Sequence, residues 1–407
     1  MPFVLTMLKP LFGTVVGLLG IYLSFISLLT IPKLQDHVIY LHKVTLTWFQ
    51  DVNIPEQWGF LRNQVTPFHL KTSDGETLHA WHVLPLDVYQ QHEAELIEEP
   101  TGLCQNVENS LSFELLRDDP TAKLVIYFHG AAGTLGSGWR PQSYRALSAA
   151  VPNLHVLAID YRGYGSSSGW PSESGMLTDA LTLTEFAMGT AQIPAERIVV
   201  FAQSLGTAVA LSLSHKLALE APPILFAGTV LVAPMADVET STQTYKIAGT
   251  IPLLSPMAVY PPLLTFFNRF IISKWPSKAK IADFIRHLDS ADKDGRRNNY
   301  DITLIHAEDD WDMPWIHSEI LFAHAVRSMR GNAGFTKDVF EEEKAKRKLQ
   351  LGAGGWVVEW WGGNGIVREQ IVKHGLHDRI MSYPVVGLAI ARAFTNTGTY
   401  QLGGKES

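Results

Sequence analysis

Five short apolar runs constrain the fold of this chain more than any other feature: KLVIYF (123–128), HVLAID (155–160), RIVVFA (197–202), GTVLVA (228–233) and ITLIHA (302–307). They are rich in β-branched residues and lack the polar alternation of a strand with one wet face, and helical patterns separate them. Strands that are apolar throughout must be covered on both sides. The order therefore predicts a doubly wound α/β domain, a mostly parallel sheet with helices on both faces. Upstream, PFHLKTSDGETLHAWHVLP (67–85) reads as two strands joined by the Asp74-Gly75 turn. The domain is expected to span 57–398, followed by a tail over 399–407.

Composition narrows the function. Of 407 residues, 46% are hydrophobic and 18% charged, enough apolar material for a large core and too much for wholesale disorder. The 33 Lys and Arg against 40 Asp and Glu give a net charge of -7 with no basic stripe, so nucleic acid is not an expected partner. The single cysteine, Cys104, allows no intrachain disulfide and no Cys-rich zinc site, and neither a metal nor a cofactor is expected.

Residues 11–31, LFGTVVGLLGIYLSFISLLTI, are 21 positions without a charge, about the length that crosses a bilayer as a helix. We read a transmembrane anchor there, with an N-terminal tail over 1–10 and a linker over 32–56. The run is longer than the apolar core of a signal peptide, and no small-x-small cleavage site follows Ile31. Lys9 on one side and Lys33 and Lys43 on the other leave the orientation open.

Three segments interrupt the α/β pattern. Asp87 to Ala122 is polar and acidic without a sustained period and reads as a surface insertion. Asp237 to Tyr300, between GTVLVA and ITLIHA, is rich in proline and aromatic residues. Its prolines at 252, 256, 261 and 262 exclude an uninterrupted spanning helix, so a cap over the active site is expected. Phe266 and Phe267, with Leu253, Leu254, Met257, Leu263 and Leu264, form an apolar stretch expected to bind an acyl chain. Arg327 to Trp356 carries EEEKAKRK, the pattern of a solvated helix face.

The chemistry concentrates in RIVVFAQSLGTAVALSLS, which puts Ser204 between an apolar strand and an Ala-rich helix. At such an elbow the serine sits in strained backbone, and small residues are needed two before and two after it. Gly206 meets that need, and Ala202 replaces the usual glycine at the cost of one methyl. A plain helix N-cap serine is the alternative. An acyl-transfer serine needs donors for the oxyanion, and the Leu205 amide is one. The second is expected at Ala131, in the small-residue loop His129-Gly130-Ala131-Ala132-Gly133-Thr134, whose spacing matches no phosphate-binding pattern. In this fold the acid and then the base follow the serine along the chain. HAEDDWD supplies Asp310, with Asp309 second, and KHGLHD supplies His377, while His374 reads as a strand-end residue.

Six elements occur in order: DG-x-x-L-x-x-W-x-x-L-P at 74–85, FHG at 128–130, DYRGYGSSSG at 160–169, QSLG at 203–206, HAEDD at 306–310 and G-x-HD at 375–378. From about residue 57 onward the chain thus resembles the membrane-anchored serine hydrolases around α/β-hydrolase domain-containing protein twelve, with the apolar run in the matching place. The resemblance implies an α/β-hydrolase fold and cleavage of monoacylglycerols or lysophospholipids, lysophosphatidylserine especially, at the endoplasmic reticulum membrane. Ala202 and the insertions at 87–122 and 327–356 depart from the pattern. The expectation is a single-pass membrane serine hydrolase using Ser204, His377 and Asp310. A non-lipid carboxylesterase or peptidase on the same fold, and a catalytically silent membrane scaffold, are the other readings.

Overall fold

The computed structural model of the chain describes residues 2–247, 249–252, 254, 259–290, 299–330 and 335–395. All five apolar runs are strands of one sheet. It comprises β1 (Val65–Lys71), β2 (Thr77–Val83), β3 (Lys123–Phe128), β4 (Leu154–Ile159), β5 (Ile198–Gln203), β6 (Gly228–Val232), β7 (Tyr300–Ala307), β8 (Leu349–Gln350), β9 (Gly355–Trp361) and β10 (Gly365–Val372). The order across it is β1-β2-β4-β3-β5-β6-β7-β10-β9-β8. From β4 to β10 the strands run parallel, and each edge is completed by antiparallel strands, so the sheet is mixed.

Among the described residues the helices of eight residues or more are α1 (Pro2–Leu28), α2 (Pro32–Tyr40), α3 (Arg140–Ala150), α4 (Glu173–Glu185), α5 (Leu205–Ala218), α6 (Pro261–Asn268), α7 (Ser277–Ser290), α8 (Ile316–Arg330), α9 (Lys337–Arg347) and α10 (Pro384–Thr395). Side chains alternate along each strand, and here both faces are apolar. Val199 and Phe201 of β5 enter the core shared with α3 and α10, while Ile198, Val200 and Ala202 enter the core shared with α4, α5, α7 and α8. This is the doubly wound arrangement expected from the continuous apolar runs, an α/β-hydrolase fold with a helical cap insertion.

Several expectations change. The apolar run at 11–31 is not one helix: α1 ends at Leu28, and α2 leaves it at 101°. Ile31 is extended ahead of Pro32, whose ring disfavours a helical residue before it. Among the described residues no single helix is long and apolar enough to cross a membrane; Phe12–Leu28 and Pro32–Tyr40 reach that measure only as a bent pair. The stretch 32–56 is not a loose linker either. Tyr40 is fully buried; its hydroxyl donates to Ser273 Oγ at 2.8 Å, and its carbonyl accepts from Tyr164 OH at 2.7 Å. The Gln35 side chain bonds the backbone of Phe270 and Ile272, and the Val52 carbonyl accepts from Trp81 Nε1 at 2.9 Å.

The segment 87–122 is only partly a surface feature. Its short helix Leu111–Arg117 buries Phe113 and Leu116 in the main core, and the Cys104 amide donates to the Pro67 carbonyl at 2.8 Å, bridging the outer edge of β1. The charge run forms α9, solvated on one side alone, because buried Lys344 pairs with Glu369 at 2.7 Å and Glu319 at 3.2 Å. That insertion ends before 356: Gly355 opens β9 at φ +116, where a Cβ would strike the Ile371 carbonyl. The cap is also shorter than 237–300. Ile281, Phe284, Ile285 and Leu288 of α7 belong to the sheet core, which leaves the helix Val238–Thr244, the ribbon Lys246–Ile247 with Ile251–Pro252, and α6. Leu253, Pro256 and Met257 lie outside the described residues.

Candidate active site

The strand-to-helix junction after β5 sets the position of Ser204. Its φ of 53° and ψ of -123° are strained for a residue with a side chain, at a cost of about 1–3 kcal/mol. The surroundings hold it there: the Ser204 amide donates to the Val232 carbonyl at 3.0 Å, and the Thr207 hydroxyl donates to the Ser204 carbonyl at 2.6 Å. Gly206 lies against the Phe128 and His129 carbonyls, where a Cβ would clash. The Ala202 methyl is fully buried in the core, so the departure from glycine is accommodated by packing.

Two turns at the ends of β7 and β10 bring up the other candidates. His377 Nε2 is 3.0 Å from Ser204 Oγ, and His377 Nδ1 is 2.7 Å from Asp310 Oδ2. A charged Asp310 requires the proton on Nδ1, which leaves Nε2 of the neutral ring to accept from the serine. Asp309 turns the other way. Its Oδ1 accepts the Gly375 and Leu376 amides at 2.8 and 2.9 Å, and its Oδ2 is 3.3 Å from Nδ1 of His374, whose side chain is 85% exposed. Asp309 therefore ties down the turn that carries His377, and Asp310 faces the ring.

Asp310 also collects donors that the chain order alone did not reveal. The Asp312 and Met313 amides reach Oδ1 at 3.1 and 2.8 Å, and His306 Nε2 lies 3.0 Å from Oδ2. His306 is fully buried. Its Nδ1 faces the Ser318 hydroxyl at 2.8 Å and Nε2 also faces the Met313 carbonyl at 2.9 Å, so the ring carries its proton on Nε2 and donates to the carboxylate. Burial pushes the Asp310 carboxyl up, but the His377 charge and the hydrogen bonds from His306 and His377 outweigh it and hold the group well below the usual carboxylate range. For His377, burial favours the neutral ring. Asp310, Asp378 and Asp312 together outweigh that and raise its pKa to about 9.

On the other side of Ser204, Ala131 and Leu205 line the same cavity as the hydroxyl. Among the described residues neither amide has a protein acceptor. The loop owes its shape to a residue the sequence reading passed over. Buried Arg140, at the start of α3, donates to the Thr134 carbonyl at 2.6 Å, Ala132 at 2.7 Å, Gly130 at 3.1 Å and Ala131 at 3.3 Å. With those carbonyls gathered around the guanidinium, the amides are turned elsewhere. An arginine opening a helix just after a loop of small residues was the available signal. Among the described residues no group of three or more His, Cys, Asp or Glu side chains gathers as a metal would require.

Residues 125–345 match the profile described as the alpha/beta hydrolase family, more than half of the chain. The chain belongs to the alpha/beta hydrolase family. It is similar to lysophosphatidylserine lipase ABHD12 of Danio rerio, 26% identical over 314 residues covering 77% of this chain and 72% of the relative. The same lipase of Xenopus tropicalis is 28% identical over 317 residues, with the same two coverages of 77% and 72%. A solved alpha-beta hydrolase from Vibrio vulnificus superposes with a TM-score of 0.54 over 88% of this chain and 91% of that one, at 13% identity, a likeness of fold alone.

The Ser204 cavity of this α/β hydrolase has a volume of about 350 Å³ and walls that are mainly apolar. Met235, Tyr245 and Met313 line it, together with Phe25, Val38, Ile39 and Leu41, which come from α1, α2 and the turn after α2. Phe266 and Phe267, expected as substrate-binding residues, do not line it. Phe266 is 50% exposed, and Phe267 packs with Leu263 and Leu264 against Tyr22, Phe25 and Ile26 of α1. Part of the apolar stretch of the cap is thus covered by the N-terminal helix, while Leu254 of that stretch, with Val238, Thr242 and Tyr245, lines the cavity together with α1 and α2.

Proposed function

We propose that this α/β hydrolase is a serine hydrolase of membrane lipids, cleaving acyl esters such as those of monoacylglycerols or lysophospholipids, lysophosphatidylserine among them. The observation that carries this reading is the chain of short contacts from Asp310 through His377 to Ser204 at the floor of an apolar cavity. In the first half-reaction Ser204 Oγ bonds to the ester carbonyl carbon and its proton passes to His377 Nε2. The carbonyl electrons move onto oxygen, held by the Leu205 and Ala131 amides. Collapse breaks the bond to the alcohol, which leaves with the proton from His377. Water then repeats the sequence on the acyl-serine, with His377 taking its proton, and releases the fatty acid. The Asp310 carboxylate keeps its charge throughout and supports the imidazolium.

Membrane attachment through α1 is part of the same reading, supported by its exposed apolar side chains. The endoplasmic reticulum is the setting the sequence resemblance implies. The test is to assay purified full-length protein and its Ser204→Ala variant against lysophospholipids of different head group, monoacylglycerols and short soluble esters. The proposal expects long-chain monoacyl lipids to be turned over best, with all activity lost in the variant. Preference for short soluble esters would make it a general carboxylesterase instead.

A further inference from the structure

The apolar space around Ser204 does not end at the residues that line its cavity. A second, narrower space of about 60 Å³ lies between α1, α2 and α6, and it shares five lining residues with the first: Val38, Ile39, Val238, Thr242 and Leu254. At its far side stand Ile26 and Leu29 of the N-terminal segment and Phe267 and Ile271 of the cap. The lining of the two spaces is thus continuous, leading from the serine hydroxyl to the seam between α1 and the cap helix. Polar atoms contribute little along the way.

The outside of that seam is unlike an ordinary protein surface. Along α1, Phe12 is 72% exposed, Leu18 62% and Ile21 70%, and close to the seam on the cap Ile272 is 63% exposed. Single exposed apolar side chains are common, but a helix that is apolar on its outer faces beside an apolar cap needs a lipid or protein cover. Here the absence of any charged side chain from Phe12 to Leu28 selects lipid. The narrow space is too small for a polymethylene chain without movement of its walls, which include the side chains of Ile26, Leu29, Leu254, Phe267 and Ile271, free to change rotamer, beside Gln35, whose amide is tied to the backbone of Phe270 and Ile272.

We infer that the seam between α1 and α6 is the acyl entrance of the enzyme: the fatty chain of a lipid in the bilayer slides laterally between the N-terminal helix and the cap, and its ester end reaches Ser204 without leaving an apolar environment. The inference rests on the serine hydrolase reading above and adds the direction from which the substrate comes. It makes α1 and α2 part of the binding site, and it assigns Ile26, Leu29, Phe267 and Ile271 to the path of the chain. The polar head group stays on the opposite side of the serine, toward the Asp310 and His377 turns.

A covalent probe tests the route directly. Full-length protein in phosphatidylcholine vesicles is treated with a hexadecyl fluorophosphonate carrying a diazirine at the chain end, which phosphonylates an activated serine with loss of fluoride. It is then irradiated, and the cross-linked residues are mapped by mass spectrometry. The expected result is phosphonylated Ser204 with cross-links at Ile26, Leu29, Phe267 or Ile271. In addition, Leu29→Trp, which fills the narrow space, should lower the ratio of hexadecyl to ethyl fluorophosphonate labelling rates at least tenfold. Labelled Ser204 with cross-links confined to the exposed side chains of Trp311 or Leu376, in the turns that carry Asp310 and His377, would overturn the route while leaving the hydrolase standing. So would an unchanged rate ratio in Leu29→Trp, or labelling by the ethyl probe alone. If neither probe modifies Ser204, the hydrolase reading fails and the route fails with it.

Discussion

The two walls of the Ser204 cavity are built on opposite principles. The chemical wall consists of strand ends and tight turns, where each functional atom has several ties. Asp310 takes four donors, the loop that carries Ala131 is gathered around one guanidinium, and Ser204 is held in strained backbone. The substrate wall consists of α1, α2 and the cap, joined mainly by apolar side chains such as Ile26, Leu264 and Phe267. Fixed polar geometry suits a transition state whose charge appears at set positions, whereas loose apolar packing suits a flexible chain of variable length. The few polar ties that cross between them have a consequence. The Tyr40 and Val44 carbonyls accept the Ala132 and Gly133 amides, so the segment leaving the substrate wall helps to shape the loop that carries Ala131.

The comparison is broken most severely on the chemical wall. Replacing Ser204 with alanine is expected to lower kcat by about five to six orders of magnitude with the fold retained, since the proposed mechanism makes the hydroxyl the nucleophile and it contributes little packing. Circular dichroism alongside turnover checks both halves of that statement. Asp310→Asn is expected to cost about four orders of magnitude, because the amide leaves the His377 ring in the wrong tautomer and without its counter-charge. If Asp309→Asn costs as much, the acid is misassigned. His306→Leu removes one charge-assisted hydrogen bond, of about 1.5–3 kcal/mol, and is expected to slow kcat by about 10- to 100-fold with KM unchanged. A change confined to KM would give His306 a different role.

Changes on the substrate wall should be milder and should depend on the substrate. Phe25→Ala is expected to lower kcat/KM for a sixteen-carbon monoacylglycerol by about three- to tenfold, with a smaller effect on an eight-carbon one, as apolar contact with the chain is lost. Equal losses for both lengths would place Phe25 outside the acyl path. The smallest effect sharpens the electrostatic side. Asp378 favours the charged form of His377, so Asp378→Asn should move the ascending limb of the pH profile of kcat/KM to lower pH. A limb that stays in place would exclude Asp378 from the field acting on the base.

The same division explains what the sequence disclosed. Strands β3 to β7 and the elbow were legible because their signals are local: continuous apolar runs, small residues around Ser204, and a carboxylate and a histidine in the order the fold requires. Arg140 and His306 act across the fold, on a loop and on a carboxylate, and a lone arginine or histidine carries no local mark of that. The acid was narrowed to Asp309 or Asp310, and only the turn geometry separates them. Phe266, half exposed, lines neither space, and Phe267 packs against α1 at the far end of the path proposed for the chain, because an apolar helix reads the same whether it faces a ligand, another helix or solvent. The apolar run at 11–31 hid its break for a related reason: one proline at its border redirects the chain, while the composition on either side hardly changes.

The central claim, that His377 is the base acting on Ser204, is tested most directly by the rate of covalent modification of Ser204 by ethyl fluorophosphonate as a function of pH, with the adduct located by peptide mapping. The base works in its neutral form, and the folded-state pKa is raised to about 9. The account therefore predicts one adduct, on Ser204, at a rate that rises by about tenfold per pH unit from neutrality toward 9 and then levels. An adduct on another residue, or a Ser204 rate that is flat over that range, would contradict it.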